Sequence, residues 1–152
     1  MHVRTASADD AEELEAVRLR GWQAAYRGIV DDAYLDALVV DAGRRRERMA
    51  DPAVTTLVGV EDDTVLGMAV HGPSRDGLAD EELYALYVEP GRWRSGIGTA
   101  LIEACEGVRV LWVLGDNARA QAFYRRHGFE ADGHAQLLDL GGPVTEIRMR
   151  RG

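Results

Sequence analysis

The chain has 152 residues, which fits one domain able to bury roughly 70% of its unfolded surface, and its single cysteine, Cys105, and scattered histidines at 2, 71, 127 and 134 offer neither a disulfide nor a zinc site, so no metal is expected. Asp plus Glu number 26 against 18 Lys plus Arg, and a net charge of −8 repels phosphate backbones, so the expected partner is an amine or other cation and not nucleic acid. No run approaches the about 20 apolar residues of a membrane span, and the start, MHVRTASADD, turns acidic where a leader would be apolar, so a cytoplasmic protein away from membranes is expected.

In chain order, the alternation in His2–Thr5 predicts a short strand, and Ser7 followed by Asp10 supplies the start of a helix. Within that helix Leu14, Val17, Leu19, Trp22, Ala25 and Tyr26 recur at helical spacing, giving an amphipathic element with aromatics near its end. A second helix is expected from Asp32 to about Val40. A third, from Ala42 to Met49, carries Arg44, Arg45, Arg46 and Arg48 on what should be a solvated face, and Pro52 stops the helical region.

TTLVGVEDDTVLGMAVHG then reads as a hairpin turning on Glu61, Asp62 and Asp63, and the polar residues from Pro73 to Asp80 as a loop. ELYALYV, rich in aromatic and branched residues and closed by Pro90, is the expected central strand. After it come a glycine turn, a helix from Gly98 to Cys105, the strand VRVLWVL, a helix from Ala118 to His127 closed by Gly128, and two strands between Phe129 and Met149 around Gly141, Gly142 and Pro143. No repeat, low-complexity tract or linker interrupts this order. It predicts an α/β fold of a single domain spanning residues 1–152, with a mixed central sheet flanked by helices on both faces.

The stretch VEPGRWRSGIGTALIEA places a turn with Gly96 and Gly98 between a strand and a helix. Free N–H groups at a helix start, the helix dipole, and the nearby Arg92 and Arg94 make an anion site without a metal. Equally, a strand-to-helix connection simply needs flexible residues. The turn does not fit a dinucleotide fingerprint, because the third glycine position holds Leu101.

With its surroundings, Trp93-Arg94-Ser95-Gly96-Ile97-Gly98 resembles the acetyl-CoA loop of the GNAT acetyltransferases, whose pattern is Gln or Arg, two residues, Gly, one residue, then Gly or Ala. The departure is Trp93 in the first position. Downstream, LWVLGDNARAQAFYRRHGF resembles the second signature of that family, with Asn117, Tyr124, Gly128 and Phe129 in its places, and GWQAAYRGIVDDAYLDAL resembles the first two helices of one subgroup. The connection from Cys105 to Val110 is short for the family and points to a clipped helix.

What the resemblance implies is an N-acetyltransferase that moves an acetyl group from acetyl-CoA directly to an amine, with no covalent enzyme intermediate. Leu86, Tyr87 and Val88 would flank the pantetheine arm; Arg94, Ser95, Gly96, Ile97, Gly98 and Thr99 would hold the pyrophosphate; Asn117 would cap its helix and touch the cofactor; and Tyr124 would protonate the departing thiolate. Trp22, Tyr26 and Tyr84 would border a small-molecule or peptide acceptor, although Trp22 and Tyr26, four apart on one helix face, also read as core. Since an amine attacks only when neutral, a base is needed. Glu82 is the candidate, because an extended strand puts Glu82, Tyr84 and Leu86 on one face and turns Glu81 away; a solvated strand entrance is the plainer reading. Dimers are common in the family, so a homodimer is compatible. Two other readings stay open: a catalytically silent acetyl-CoA-binding sensor or interaction module, and a general nucleotide-binding α/β domain.

Overall fold

A computed structural model of the chain describes residues 1–77 and 80–152; within the expected Pro73–Asp80 loop, Leu78 and Ala79 lie outside the described residues. Seven strands, β1 (His2–Thr5), β2 (Thr55–Glu61), β3 (Thr64–Pro73), β4 (Glu81–Val88), β5 (Val108–Leu114), β6 (Glu130–Asp139) and β7 (Pro143–Arg150), form one sheet in the order β1-β2-β3-β4-β5-β7-β6. Only β4 and β5 are parallel; every other neighbouring pair is antiparallel. Three helices precede β2, namely α1 (Ala11–Tyr26), α2 (Asp32–Asp36) and α3 (Ala42–Ala50), while α4 (Ile97–Glu103) and α5 (Ala118–Arg126) flank β5.

Strand alternation divides the apolar residues into two layers. Met68 and Val70 of β3 join Val58, Val60 and Val65 under Leu14 and Val17 of α1. Ala69, between them, faces the other way, into a layer with Leu83, Leu111 and Met149 beneath Ile97 and Leu101 of α4 and Tyr124 of α5. The mixed sheet flanked by helices on both faces is thus the one the element order predicts. A third cluster brings Trp22 and Tyr26, at the end of α1, against Leu35 of α2, Leu114 of β5, and Leu138 and Leu140 of the β6–β7 hairpin.

The local chemistry matches most expected boundaries. Asp10 reaches back to accept the amide of Ser7 at 2.7 Å and is clamped by Arg4 at 2.8 and 3.0 Å, fixing the entry to α1. Asp62 and Asp63 both adopt left-handed backbone, with φ of 50° and 61°, the geometry a two-residue hairpin turn requires. Helix α4 is short, ending at Glu103, as the brief connection to β5 suggests.

Two expectations are corrected. Helix α2 stops at Asp36 instead of continuing to Val40; beyond Leu38, which packs against the third cluster, Val39 and Val40 are exposed, and Asp41 starts α3 by accepting the amide of Arg44 at 3.0 Å. Arg45 is not on a solvated face but 5% exposed, paired with Glu15, itself 3% exposed. Glu15 accepts hydrogen bonds from Arg45 at 2.9 and 3.1 Å, from Arg18 at 2.9 and 3.1 Å, and from the amide of Asp41 at 3.1 Å. Burial alone would raise the pKa of Glu15, but these hydrogen bonds overturn it and hold the carboxyl below its ordinary value.

Close helix-to-sheet approach depends on Gly67 of β3. A Cβ there would stand 2.9 Å from a Leu101 methyl, 3.0 Å from an Ile97 methyl and 3.1 Å from the Tyr87 carbonyl oxygen.

Replacing Arg45 with alanine leaves the buried Glu15 with Arg18 and the Asp41 amide but without one of its two arginines, and should cost about 1–3 kcal/mol, read as a lower urea midpoint with unchanged slope. Because the Glu15 pKa is lowered on folding, its contribution is present above the ordinary carboxylate range and lost as pH falls through the folded value, so acid unfolding of the Glu15→Gln variant should depend less on pH than that of wild type. Gly67→Ala, by overpacking α4 against β3, should cost about 1–3 kcal/mol in the same measurement.

Candidate active site

The parallel ladder of β4 and β5 covers only Glu81–Leu83 opposite Val108–Leu111. Just beyond it β4 carries one residue more than β3: Val70 faces Ala85 and His71 faces Leu83, so Tyr84 has no counterpart. Such a bulge bends and twists its strand, and from here β4 leaves β5. The bulge also resets the alternation. Ala85 and Tyr87 pack in the layer under α1, whereas Leu83, Leu86 and Val88 pack in the layer under α4 and α5. Glu82, next to Leu83, therefore shares a face with Tyr84 but not with Leu86, which corrects the expectation that all three point one way.

Past the bulge, β4 has main-chain groups with no neighbouring strand. Glu89 donates its amide to the Leu66 carbonyl at 2.8 Å, so the antiparallel alternation turns the amides of Tyr87 and Ala85 toward β3 and those of Leu86 and Val88 into the gap. On that same side the Val88 carbonyl accepts the indole N–H of Trp93 at 3.0 Å.

The gap is the centre of a cleft of about 1100 Å³ that runs through the sheet from one face to the other. At the α4–α5 end it is lined by Arg94, Gly96, Gly98, Thr99, Asn117 and Phe123. The backbone there is left-handed at Arg94 (φ 64°) and Gly96 (φ 91°), which brings the chain around so that the free amides at the start of α4 follow directly. Gly98 sits against the Phe123 ring, where a Cβ would come within 3.3 Å. Asn117 caps α5, its side chain accepting the Ala120 amide at 3.2 Å, and borders the cleft as well. Arg119 lays its guanidinium 3.6 Å from the centre of the Trp93 ring, and burial, followed by the charge of Arg94, lowers its pKa.

At the opposite end the walls are Trp22 and Tyr26, packed edge to face at 4.9 Å, with Tyr87, Trp112, Leu138 and Glu146. Tyr124 enters from the α5 side. Burial raises the pKa of its phenol, and the nearness of Tyr87 and Cys105 raises it further. Burial likewise raises that of Tyr26, whose hydroxyl also senses Tyr87, Tyr124 and Glu146. Both tyrosines border the cleft.

Most residues singled out from the sequence border this cleft: Leu86, Tyr87 and Val88 on β4; Arg94, Gly96, Gly98 and Thr99 at the turn; Asn117 and Tyr124 on α5; and Trp22, Tyr26 and Tyr84 at the other end. Three do not. Ser95 turns its hydroxyl onto the Arg92 carbonyl, and the Ile97 side chain is buried in the core, leaving both only their backbone to offer. Glu82 is fully buried, its carboxylate taken by the amide of Arg75 at 3.0 Å and by the Arg75 guanidinium, which lies 5.0 Å from the Tyr84 ring centre. Sequence reasoning passed over Trp112, Arg119, Gln136 and Glu146, which also border the cleft. Gln136 lies between the apolar Ala135 and Leu137, and Glu146 between Thr145 and Ile147; such spacing does not distinguish a cleft from solvent.

The sequence pattern of the acetyltransferase (GNAT) domain family matches residues 52–131. An uncharacterized N-acetyltransferase of Mycobacterium tuberculosis is 30% identical over 137 residues, covering 82% of this chain and 85% of that protein. Mycothiol acetyltransferase of Kineococcus radiotolerans is 42% identical over 89 residues, which are 55% of this chain but 29% of that protein. Among solved structures, the PaiA N-acetyltransferase of Thermoplasma acidophilum in complex with coenzyme A superposes with a TM-score of 0.80 over 99% of this chain and 98% of that one, at 21% identity, and so matches in fold. The chain belongs to the GNAT family of acetyltransferases and is an acyltransferase.

Proposed function

We propose that the protein, acting as a single domain over residues 1–152, transfers the acetyl group of acetyl-CoA directly to a primary amine on a small molecule or peptide through a tetrahedral intermediate. The observation that carries this reading is the parting of β4 from β5, which leaves the amides of Leu86 and Val88 facing a through-sheet cleft with a glycine turn at one end and Tyr124 beside it. The residues present suit such a co-substrate. The turn offers backbone N–H groups and Arg94 to a pyrophosphate, the edge of β4 offers peptide groups to an amide-bearing arm, and Arg119 and Trp93 add a cationic and aromatic border. Its expected setting is the cytoplasm; among the described residues no helix is long and apolar enough to cross a membrane.

In this mechanism an amide of β4 stabilises the negative charge that develops on the thioester oxygen. Tyr124, its pKa raised by burial, stays protonated through the neutral range and donates to the sulfur as the carbon–sulfur bond breaks. The nitrogen loses a proton as the amide forms, and that proton restores the phenol. Glu82 acts indirectly, by fixing Arg75 over Tyr84 at the rim of the cleft, since its carboxylate is wholly buried and already held.

Acetyl-CoA should raise the melting temperature more than NAD or ATP does, and the same sample should release thiol with at least one member of a primary-amine panel. Stabilisation with no thiol release from any amine would favour a sensing role, and no stabilisation would end the proposal. Tyr124→Phe should lower kcat by about 100-fold while leaving acetyl-CoA affinity close to wild type; an unchanged kcat removes Tyr124 as the acid.

A further inference from the structure

We propose that Glu146 binds the ammonium group of the acceptor and accepts its proton, and that the acceptor is a primary amine carried on an apolar or aromatic body; this rests on the transferase reading above. Glu146 lies on β7 directly opposite Leu114 of β5 and Gln136 of β6. Two residues along the same strand face, Val144 packs into the cluster formed by Trp22, Tyr26, Leu138 and Leu140. The carboxylate therefore stands at the edge of an aromatic and aliphatic wall, and it borders the cleft together with Trp22, Tyr26 and Trp112. Tyr26, Tyr124 and Glu146 all border this one cleft.

Charge is what separates Glu146 from the other carboxylates nearby. Asp76, which also borders the cleft, is paired with Arg148 at 3.2 Å, and Glu82 is paired with Arg75. Glu146 accepts a hydrogen bond from the amide nitrogen of Gln136, and among the described residues no arginine, lysine or histidine forms an ion pair with it. A half-buried carboxylate with no such ion pair is available to a cationic ligand, and the aromatic residues Trp22 and Tyr26 border the same cleft. The proton balance closes: the ammonium gives one proton to Glu146, the neutral amine attacks the thioester carbon, the carbon–sulfur bond breaks as Tyr124 protonates the sulfur, the second nitrogen proton restores the phenol, and Glu146 releases its proton to solvent.

The test uses 2-phenylethylamine and its uncharged counterpart 2-phenylethanol, titrated by calorimetry into the full chain saturated with CoA. Wild type should bind the amine at least tenfold more tightly than the alcohol, and Glu146→Gln should erase that preference and lower kcat for this amine at least tenfold, with the acetyl-CoA thermal shift retained. If the Gln variant does not fold, Glu146→Asp carries the same measurement, with a reduced preference expected. A wild-type protein with no preference, or a Glu146→Gln variant that keeps it, overturns the proposal. A wild type that releases no thiol with any amine defeats the transferase reading, and proton acceptance with it, while loss of the preference in the variant would still establish Glu146 as the ammonium site.

Discussion

Two parallel strands that pair for only three residues and then separate create the site on which the rest of this structure depends. A sheet normally satisfies both edges of an interior strand, and leaving one edge unpaired costs free energy unless another group meets it. Here the extra residue at Tyr84 turns β4 away, and Trp93 meets the end of the exposed edge by donating its indole N–H to the Val88 carbonyl. The amides of Leu86 and Val88 are left without a strand partner. The same separation opens a cleft bordered by Tyr124 from α5 and by Tyr26 and Glu146 from α1 and β7.

The walls of that cleft are held by interactions remote from it. Glu15 gathers Arg18, Arg45 and the amide of Asp41, which joins α1 to the start of α3 and fixes where α2 gives way to it. The same helix that the buried Glu15 pair ties to α3 carries Trp22 and Tyr26 on its last turns, where they pack beside the β6–β7 hairpin. On the opposite face, Gly67 lets α4 lie directly on β3, with Ile97 and Leu101 filling the space a side chain would occupy. Both arrangements exchange local tolerance for placement, and both make the cleft sensitive to changes that touch no ligand.

Trp93 is the departure from the family pattern, standing where a Gln or Arg is usual. It keeps a polar link to β4 through its ring nitrogen and gains a cationic one through Arg119, stacked on its face 3.6 Å away. An aromatic side chain thus ties the turn, the strand edge and the first turn of α5 into one unit.

The sequence by itself determined the order and nature of the elements, because their signals are local: helical spacing in α1, the acidic Glu61-Asp62-Asp63 turn of the hairpin, glycines at 96 and 98, Asn117 as a cap and a mixed sheet from alternating elements. Its two motifs also led to the expectation that Tyr124 and the glycine turn share a site, and both border the cleft. It did not reveal that Arg45 is buried, since a run of arginines reads as a wet face until Glu15, thirty positions earlier, is brought beneath it. Nor did it reveal the bulge at Tyr84, which exists only as a mismatch in length between β4 and β3, and that single extra residue decided which side Glu82 faces. Glu146 was silent for a similar reason: a charged residue between Thr145 and Ile147 looks solvated, and only the crossing of β5, β6 and β7 at the end of α1 turned that face into a cleft. Side-chain periodicity is set by the chain's own geometry, whereas pairing register and burial of charge are set by a partner distant in sequence, and that partner is what tertiary structure supplies.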